Sequence, residues 1–223
     1  MAVALLVAAG RGERLGSPGP KAFAMCGGRP MLEWSVEALR AVPEVEHVVV
    51  ALPPGITAPP GTDGVPGGEQ RSQSVLAALR HVRGEDDDAL IVHDAARPLV
   101  TPAIVQACLS VLLSEDCDGA VAAAPVADTI KEAEDGEVVR TLDRSRLWAV
   151  QTPQAFHRAA LENAFALGEE AVAAATDDAS LVEAAGGTIR LVPSPRENFK
   201  VTTPDDLRLA DLLLRRRALM KDR

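Results

Sequence analysis

Short runs that are apolar on both faces, each followed by a stretch of helical period, are the feature that most narrows what this chain can fold into. Val3 to Val7 precedes Met31 to Ala41, His47 to Leu52 precedes Gln70 to Val82, and Ala89 to Val92 precedes Pro102 to Leu113. Strand-length runs alternating with helices are βαβ units. A strand with no polar face must be covered on both sides, so the expected architecture is α/β: a Rossmann-like, mostly parallel twisted sheet flanked by helices. Gly119 to Ala124 reads as a further buried strand. Thr101-Pro102 and Thr203-Pro204 supply N-caps with proline at the first helical position. The basic triplet Arg215 to Arg217 closes the last helix with the charge polarity that its dipole favours.

A chain of 223 residues with 47% apolar and 25% charged content builds one ordinary globular domain, here residues 1–223. Its core must be made from Ala, Val and Leu, because four Phe, two Trp and no Tyr are available. That scarcity disfavours base-stacking surfaces, and a net charge of −9 would repel a polyanion, so no nucleic-acid partner is expected. A small anionic substrate would need a local cluster of cations. Cys26, Cys108 and Cys117 have no CxxC spacing, and an odd count suits a reducing compartment. The apolar run at the N-terminus is too short for a signal peptide or membrane span, so a cytoplasmic location is expected.

Between residues 126 and 147 the pattern changes. Thr129 to Ala133 and Val138 to Leu142 flank an Asp135-Gly136 turn, which predicts a β-hairpin. Its strands mix apolar and charged residues, so it should project as an arm. A lone two-stranded arm needs a surface to lie on, and a second subunit is one candidate. The Pro- and Gly-rich stretch Pro53 to Gly68 reads as a loop.

After the first strand comes Ala8-Ala9-Gly10-Arg11-Gly12-Glu13-Arg14-Leu15-Gly16, then Pro18-Gly19-Pro20-Lys21. Glycines there let backbone amides approach phosphates, and Arg14 and Lys21 add charge. The Walker pattern GxxxxGK[ST] is not met, and the dinucleotide fingerprint fails because Gly16 stands one position late and the second strand ends in Leu52-Pro53 without an acid. Two readings remain: a nucleotidyltransferase loop holding a triphosphate, or a plain strand-to-helix loop. The chain has 19 Arg but only four Lys, which points to Lys21 as a place where a compact charge replaces a planar fork. The third strand ends in His93-Asp94-Ala95-Ala96-Arg97, which places Asp94 and Arg97 beside the first loop. Asp94 there can carry a magnesium ion, hold a ribose hydroxyl, or simply cap a turn. His93 has no metal-spaced partner and reads as a packed, hydrogen-bonded residue. No GxSxG elbow is present.

The blocks AAGRGERLG, GGEQRSQSV, VHDAARP, APVADTIK, LDRSRLW, QTPQAF, TDDASLVEAAGG and NFKVTTPDDL occur in this order, and so the chain resembles the 2-C-methyl-D-erythritol 4-phosphate cytidylyltransferase family from about Val3 to Leu213. The resemblance implies a nucleotidyltransferase fold and a non-mevalonate isoprenoid role. It implies that Ala8, Ala9 and Gly10 meet CTP through their backbone, that Gly68 and Ser74 read the cytosine, and that Asp94 and Ala95 lie near ribose and phosphates. It further implies that Arg14 and Lys21 stabilise the transition state, that Arg144 and Lys200 position the polyol phosphate, and that Arg97, Thr129 and Thr176 line it. Magnesium would accompany CTP, with Asp94 as its candidate ligand. The hairpin arm would form a homodimer, lending Thr129 and Arg144 to the neighbouring subunit. Where the family has Pro-Lys-Gln, this chain has Pro20-Lys21-Ala22, and the fused cyclodiphosphate synthase domain of some relatives is not expected. Rival expectations are a ribitol-5-phosphate cytidylyltransferase and a catalytically idle nucleotide-binding module.

Overall fold

The computed structural model describes residues 1–10, 12, 15, 19–84 and 88–221. The chain opens with β1 (Ala2–Val7), a small ribbon of β2 (Met25–Cys26) and β3 (Arg29–Pro30), and α1 (Met31–Arg40). There follow β4 (Val45–Leu52), β5 (Asp63–Pro66), α2 (Arg71–His81), β6 (Ala89–Asp94), α3 (Pro102–Ser114) and β7 (Gly119–Pro125). A hairpin of β8 (Lys131–Glu134) and β9 (Glu137–Thr141) leads to β10 (Trp148–His157) and α4 (Arg158–Phe165). The chain then runs through α5 (Glu169–Ala174), α6 (Asp178–Ala184), β11 (Ile189–Pro193) and α7 (Pro204–Lys221).

Seven strands form one sheet in the order β11-β7-β10-β6-β1-β4-β5. All neighbours are parallel except β10, which runs antiparallel to both β6 and β7. This is the α/β, mostly parallel sheet that the alternation predicts. One expectation needs correction: the stretch from Pro53 to Gly68 is not loop throughout, because Asp63–Pro66 pairs in parallel with Val49–Leu52. Proline is tolerated there because β5 is an edge strand.

Alternate side chains of the buried strands feed two cores, one on each face. Leu6, Val50 and Ile91 pack with Leu32, Leu39, Leu109 and Leu112 under α1 and α3. Leu5, Val49, Leu90 and Val92 pack with Leu79, Phe156 and Leu161 under α2 and α4. Each such side chain contributes about 1.5–3 kcal/mol on burial, so these faces hold the strand ends, and everything mounted on them, in place. A third cluster joins Leu15, Cys26, Met31, Leu99 and Val201 to Ala210 and Leu214 of α7. Gly27 makes this docking possible, since a Cβ there would lie 2.7 Å from that of Leu214.

The hairpin forms a sheet of its own, and every residue of β9 is exposed. Asp135 and Gly136 both have positive φ, 49° and 86°, the type I′ geometry for a two-residue turn. The three cysteines are unpaired and buried. Burial raises the Cys26 thiol to about 11 and Cys108 to about 12. Among the described residues no helix is long and apolar enough to cross a membrane.

Candidate active site

The carboxyl ends of β1, β4 and β6 stand side by side, and the backbone beyond each continues the sheet's bonding. Ala8 N–H donates to Ala51 O at 2.9 Å, Gly67 N–H to Leu52 O at 2.8 Å, and Ala95 N–H to Val7 O at 3.0 Å. The three segments diverge only past these bonds, and the space between them is a cleft of about 730 Å³. Ala8, Ala9, Gly10, Gly12 and Lys21 line one side, and Gly68, Glu69, Gln70, Arg71 and Ser74 another. Asp94, Ala96, Lys200 and Thr202 complete it.

Local sequence explains each wall. Lys21 N–H donates to Gly10 O at 3.2 Å, closing the first loop on itself. Gly12, at φ 72°, sits so near Lys21 that a Cβ would approach Lys21 Cβ to 2.6 Å. Ser74 Oγ accepts from Gly68 N–H at 3.1 Å and donates to Gln70 O at 3.3 Å, fixing the turn that enters α2. Gln70 and Gln73 cap that helix reciprocally.

Charge is organised around Asp94, which is 5% exposed. Arg71 Nε donates to its Oδ1 at 2.8 Å and Lys200 Nζ to its Oδ2 at 2.6 Å. Burial alone would raise the carboxyl, but Arg71 and Lys200 outweigh it and hold Asp94 well below the usual carboxylate range. Arg71 Nη1 also donates to Oδ2 of Asp178 at 2.7 Å. Asp178 is pushed up by burial, against the pull of Arg71. Below this row lies a second network. Asp94 N–H donates to Thr152 Oγ1 at 3.1 Å, and Thr152 Oγ1 lies 2.9 Å from Nδ1 of His93. His93 Nε2 faces Arg97 O at 3.4 Å. A carbonyl only accepts, so Nε2 carries the ring proton and Thr152 donates to Nδ1. Burial lowers His93 to about 4, and the ring is neutral.

Of the residues singled out by sequence, Ala8, Ala9, Gly10, Lys21, Gly68, Ser74, Asp94 and Lys200 share the cleft. Ala95 lies just behind it, fully buried. Arg14 lies outside the described residues. Arg97 is turned from the cleft, its Nη1 donating to Asn198 O at 2.8 Å, and burial lowers its pKa. Thr176 lines a smaller cavity of about 150 Å³ that shares Gln70 and Arg71 with the main cleft. Thr129 and Arg144 are exposed on and beside the arm, with Arg144 Nη1 donating to Ala127 O at 2.6 Å. Arg71, Asp178 and Thr152 were not singled out by sequence. The signal was present in GGEQRSQSV, TDDAS and QTPQ, but the pairing of these segments is tertiary.

Asp94 and Glu69 are the carboxylates lining the cleft, and among the described residues no group of three ligating side chains could hold a metal. Both Asp94 oxygens are occupied by cations. The protein residues therefore do not fit a magnesium site of their own.

A doubly covered sheet with a glycine-lined, cation-bearing cleft at its strand ends suits a nucleotide's phosphates, and the chain's likeness to known proteins makes it that of a nucleotidyltransferase. The sequence profile of the 2-C-methyl-D-erythritol 4-phosphate cytidylyltransferase (IspD) family matches residues 2–216. A protein of that description from Frankia casuarinae is 47% identical over 220 residues, covering 96% of this chain and 81% of the relative. One from Deinococcus radiodurans is 45% identical over 212 residues, covering 94% and 88%. The crystal structure of the corresponding cytidylyltransferase from Thermus thermophilus superposes with a TM-score of 0.80 at 37% identity, covering 96% of this chain and 100% of that one. The chain belongs to the 2-C-methyl-D-erythritol 4-phosphate cytidylyltransferase family.

Proposed function

We propose that the chain transfers the cytidylyl group of CTP to 2-C-methyl-D-erythritol 4-phosphate, forming 4-diphosphocytidyl-2-C-methyl-D-erythritol and pyrophosphate for the non-mevalonate isoprenoid pathway. The observation that carries this reading is the meeting of Lys21, Ser74 and the Lys200–Asp94 pair in one cleft of a member of this family.

The acceptor phosphate is already an anionic nucleophile, so no general base is needed. One of its oxygens forms the new bond to the α-phosphorus as the bond from that phosphorus to the departing pyrophosphate breaks. Catalysis then rests on positioning and on charge placed in advance. Backbone amides of Ala8 to Gly10 and the Gly68–Ser74 turn orient the nucleotide, and Lys21 and Arg14 are assigned to the charge that develops on its phosphates. Lys200 has three protons to donate; one is engaged by Asp94, leaving two directed to an acceptor phosphate. Magnesium would come with the triphosphate and neutralise part of its charge.

Thr129 and Arg144 do not line the cleft of their own chain, and we assign them to the neighbouring cleft of a homodimer built through the arm. Exposed Val138 and Val139 on that arm support this assembly. Three unpaired buried thiols support a reducing, cytoplasmic location.

The test is pyrophosphate release with CTP and magnesium, offering methylerythritol phosphate and ribitol 5-phosphate in parallel. Release with the first alone is expected. Release with ribitol phosphate alone would reassign the acceptor, and silence with both would remove the catalytic reading.

A further inference from the structure

We infer that Asn198, which does not line the cleft, is the positioning residue for the acceptor-phosphate side of it, setting from inside the fold where Lys200 stands. The inference rests on the cytidylyl-transfer reading above.

Asn198 is 1% exposed. Both protons of its side-chain amide are used: Nδ2 donates to Gln151 Oε1 and to Thr152 O, each at 2.9 Å. Its backbone N–H donates to Pro195 O at 3.1 Å. Its backbone carbonyl accepts from Arg97 Nη1 at 2.8 Å. One residue therefore joins β10, the loop that follows β11 and the guanidinium that follows β6. Lys200 comes two positions later, and Val201 N–H then donates to Ala96 O at 2.8 Å. The segment carrying Lys200 is thus pinned on both sides, to β10 through Asn198 and to the β6 loop through Val201.

This anchoring matters because a lysine is a point charge on a flexible stem, and its reach is set by where its backbone is held. Asp94 fixes one end of the pair from β6, and Asn198 fixes the other. The same Thr152 whose carbonyl accepts from Asn198 accepts from Asp94 N–H through its hydroxyl. Both members of the Lys200–Asp94 pair are therefore referenced to a single residue of β10. The nucleotide side of the cleft, Ala8 to Gly10 and Gly67 to Ser74, makes no hydrogen bond to Asn198 or Thr152 and meets this network only where Arg71 donates to Asp94.

The experiment compares Asn198→Ala and Asn198→Asp with wild type, varying CTP and methylerythritol phosphate separately and recording thermal midpoints. Displacement of positioning groups by about 1 Å costs on the order of 10²-fold, so kcat/KM for the acceptor should fall by roughly that factor. CTP affinity, read by calorimetry, should stay within about twofold of wild type, since its contacts are untouched. Asn198→Asp conserves volume but turns two donors into acceptors facing two acceptors, so it should be no better than alanine. An aspartate variant near wild type would mean that the residue only fills space, and would overturn the inference. So would equal losses on both substrates, or a failure of both variants and of the milder Asn198→Ser to fold. A wild-type protein silent with every acceptor overturns the underlying reading instead, and is distinguished by that control alone.

Discussion

Lys200 holds its ammonium 2.6 Å from Oδ2 of Asp94, while Arg71 holds the opposite oxygen at 2.8 Å. The carboxylate is the hub of the site's charge, and replacing it leaves two cations facing each other. Asp94→Asn should cost roughly 2–3 kcal/mol, less than a fully buried pair because Lys200 is 38% exposed. Turnover should fall at least on the order of 10²-fold. Because the folded carboxyl is depressed, its stabilisation is present above the ordinary carboxylate range and disappears only as pH falls well below it. Urea unfolding of wild type and variant in acid and at neutrality measures both effects; parallel curves would contradict them.

Lys21→Ala removes a cation that lines the cleft and leaves in place the Gly68–Ser74 turn, to which orienting the nucleotide is assigned. Turnover should drop on the order of 10²-fold with CTP still bound. Single-turnover kinetics beside a CTP titration separates the two, and unchanged turnover would take Lys21 out of the chemistry.

His93 supplies a pH signature that substitution separates from that of the carboxylates. Its folded value, about 4 against an ordinary 6.5, means that the unfolded chain gains a proton in that interval and the folded one does not. Stability should therefore fall with falling pH, by about 1.4 kcal/mol per pH unit from this group across that interval, and level off below it. His93→Gln should flatten the dependence. An equally steep slope in the variant would show that the ring is not the source.

Gly67 tests the nucleotide side. A Cβ there would press into that of Ala9 and come within 3.0 Å of Ser74 Oγ. Gly67→Ala should shift the first loop and weaken CTP binding roughly tenfold or more, while the midpoint of thermal unfolding moves by only a few degrees. Calorimetry with CTP decides, and wild-type affinity would mean that the turn yields without cost.

The arm carries Val138 and Val139, 60% and 54% exposed, on adjacent positions that face opposite ways. Val138→Asp with Val139→Asp should convert a dimer to monomers in light scattering and lose turnover while CTP binding persists. A wild-type protein that is already monomeric and active would remove the shared-site assignment of Thr129 and Arg144.

Much of this was legible along the chain because its signals are local. Apolar runs marked β1, β4, β6 and β7 to within two residues at either end, and the Asp135-Gly136 turn marked the arm. What local pattern could not show was partnership. Arg71 reads as an ordinary first-turn cation of α2 until α6 brings Asp178 against it. The antiparallel course of β10 leaves no trace in its composition, yet it alone places Gln151 and Thr152 under Asp94. β5 was hidden by Pro66 and by the prolines before the strand, whose usual meaning is a break.

The last helix contributes nothing to the cleft, yet Ala210 and Leu214 share one apolar cluster with Leu15 of the first loop and Val201 beside Lys200. The two stretches that carry Lys21 and Lys200 thus rest on a common keel formed by α7. During synthesis, that support emerges after the residues that line the cleft. A ribosome-bound chain that has not yet released α7 would hold Lys21 and Lys200 without the apolar cluster that braces the stretches carrying them.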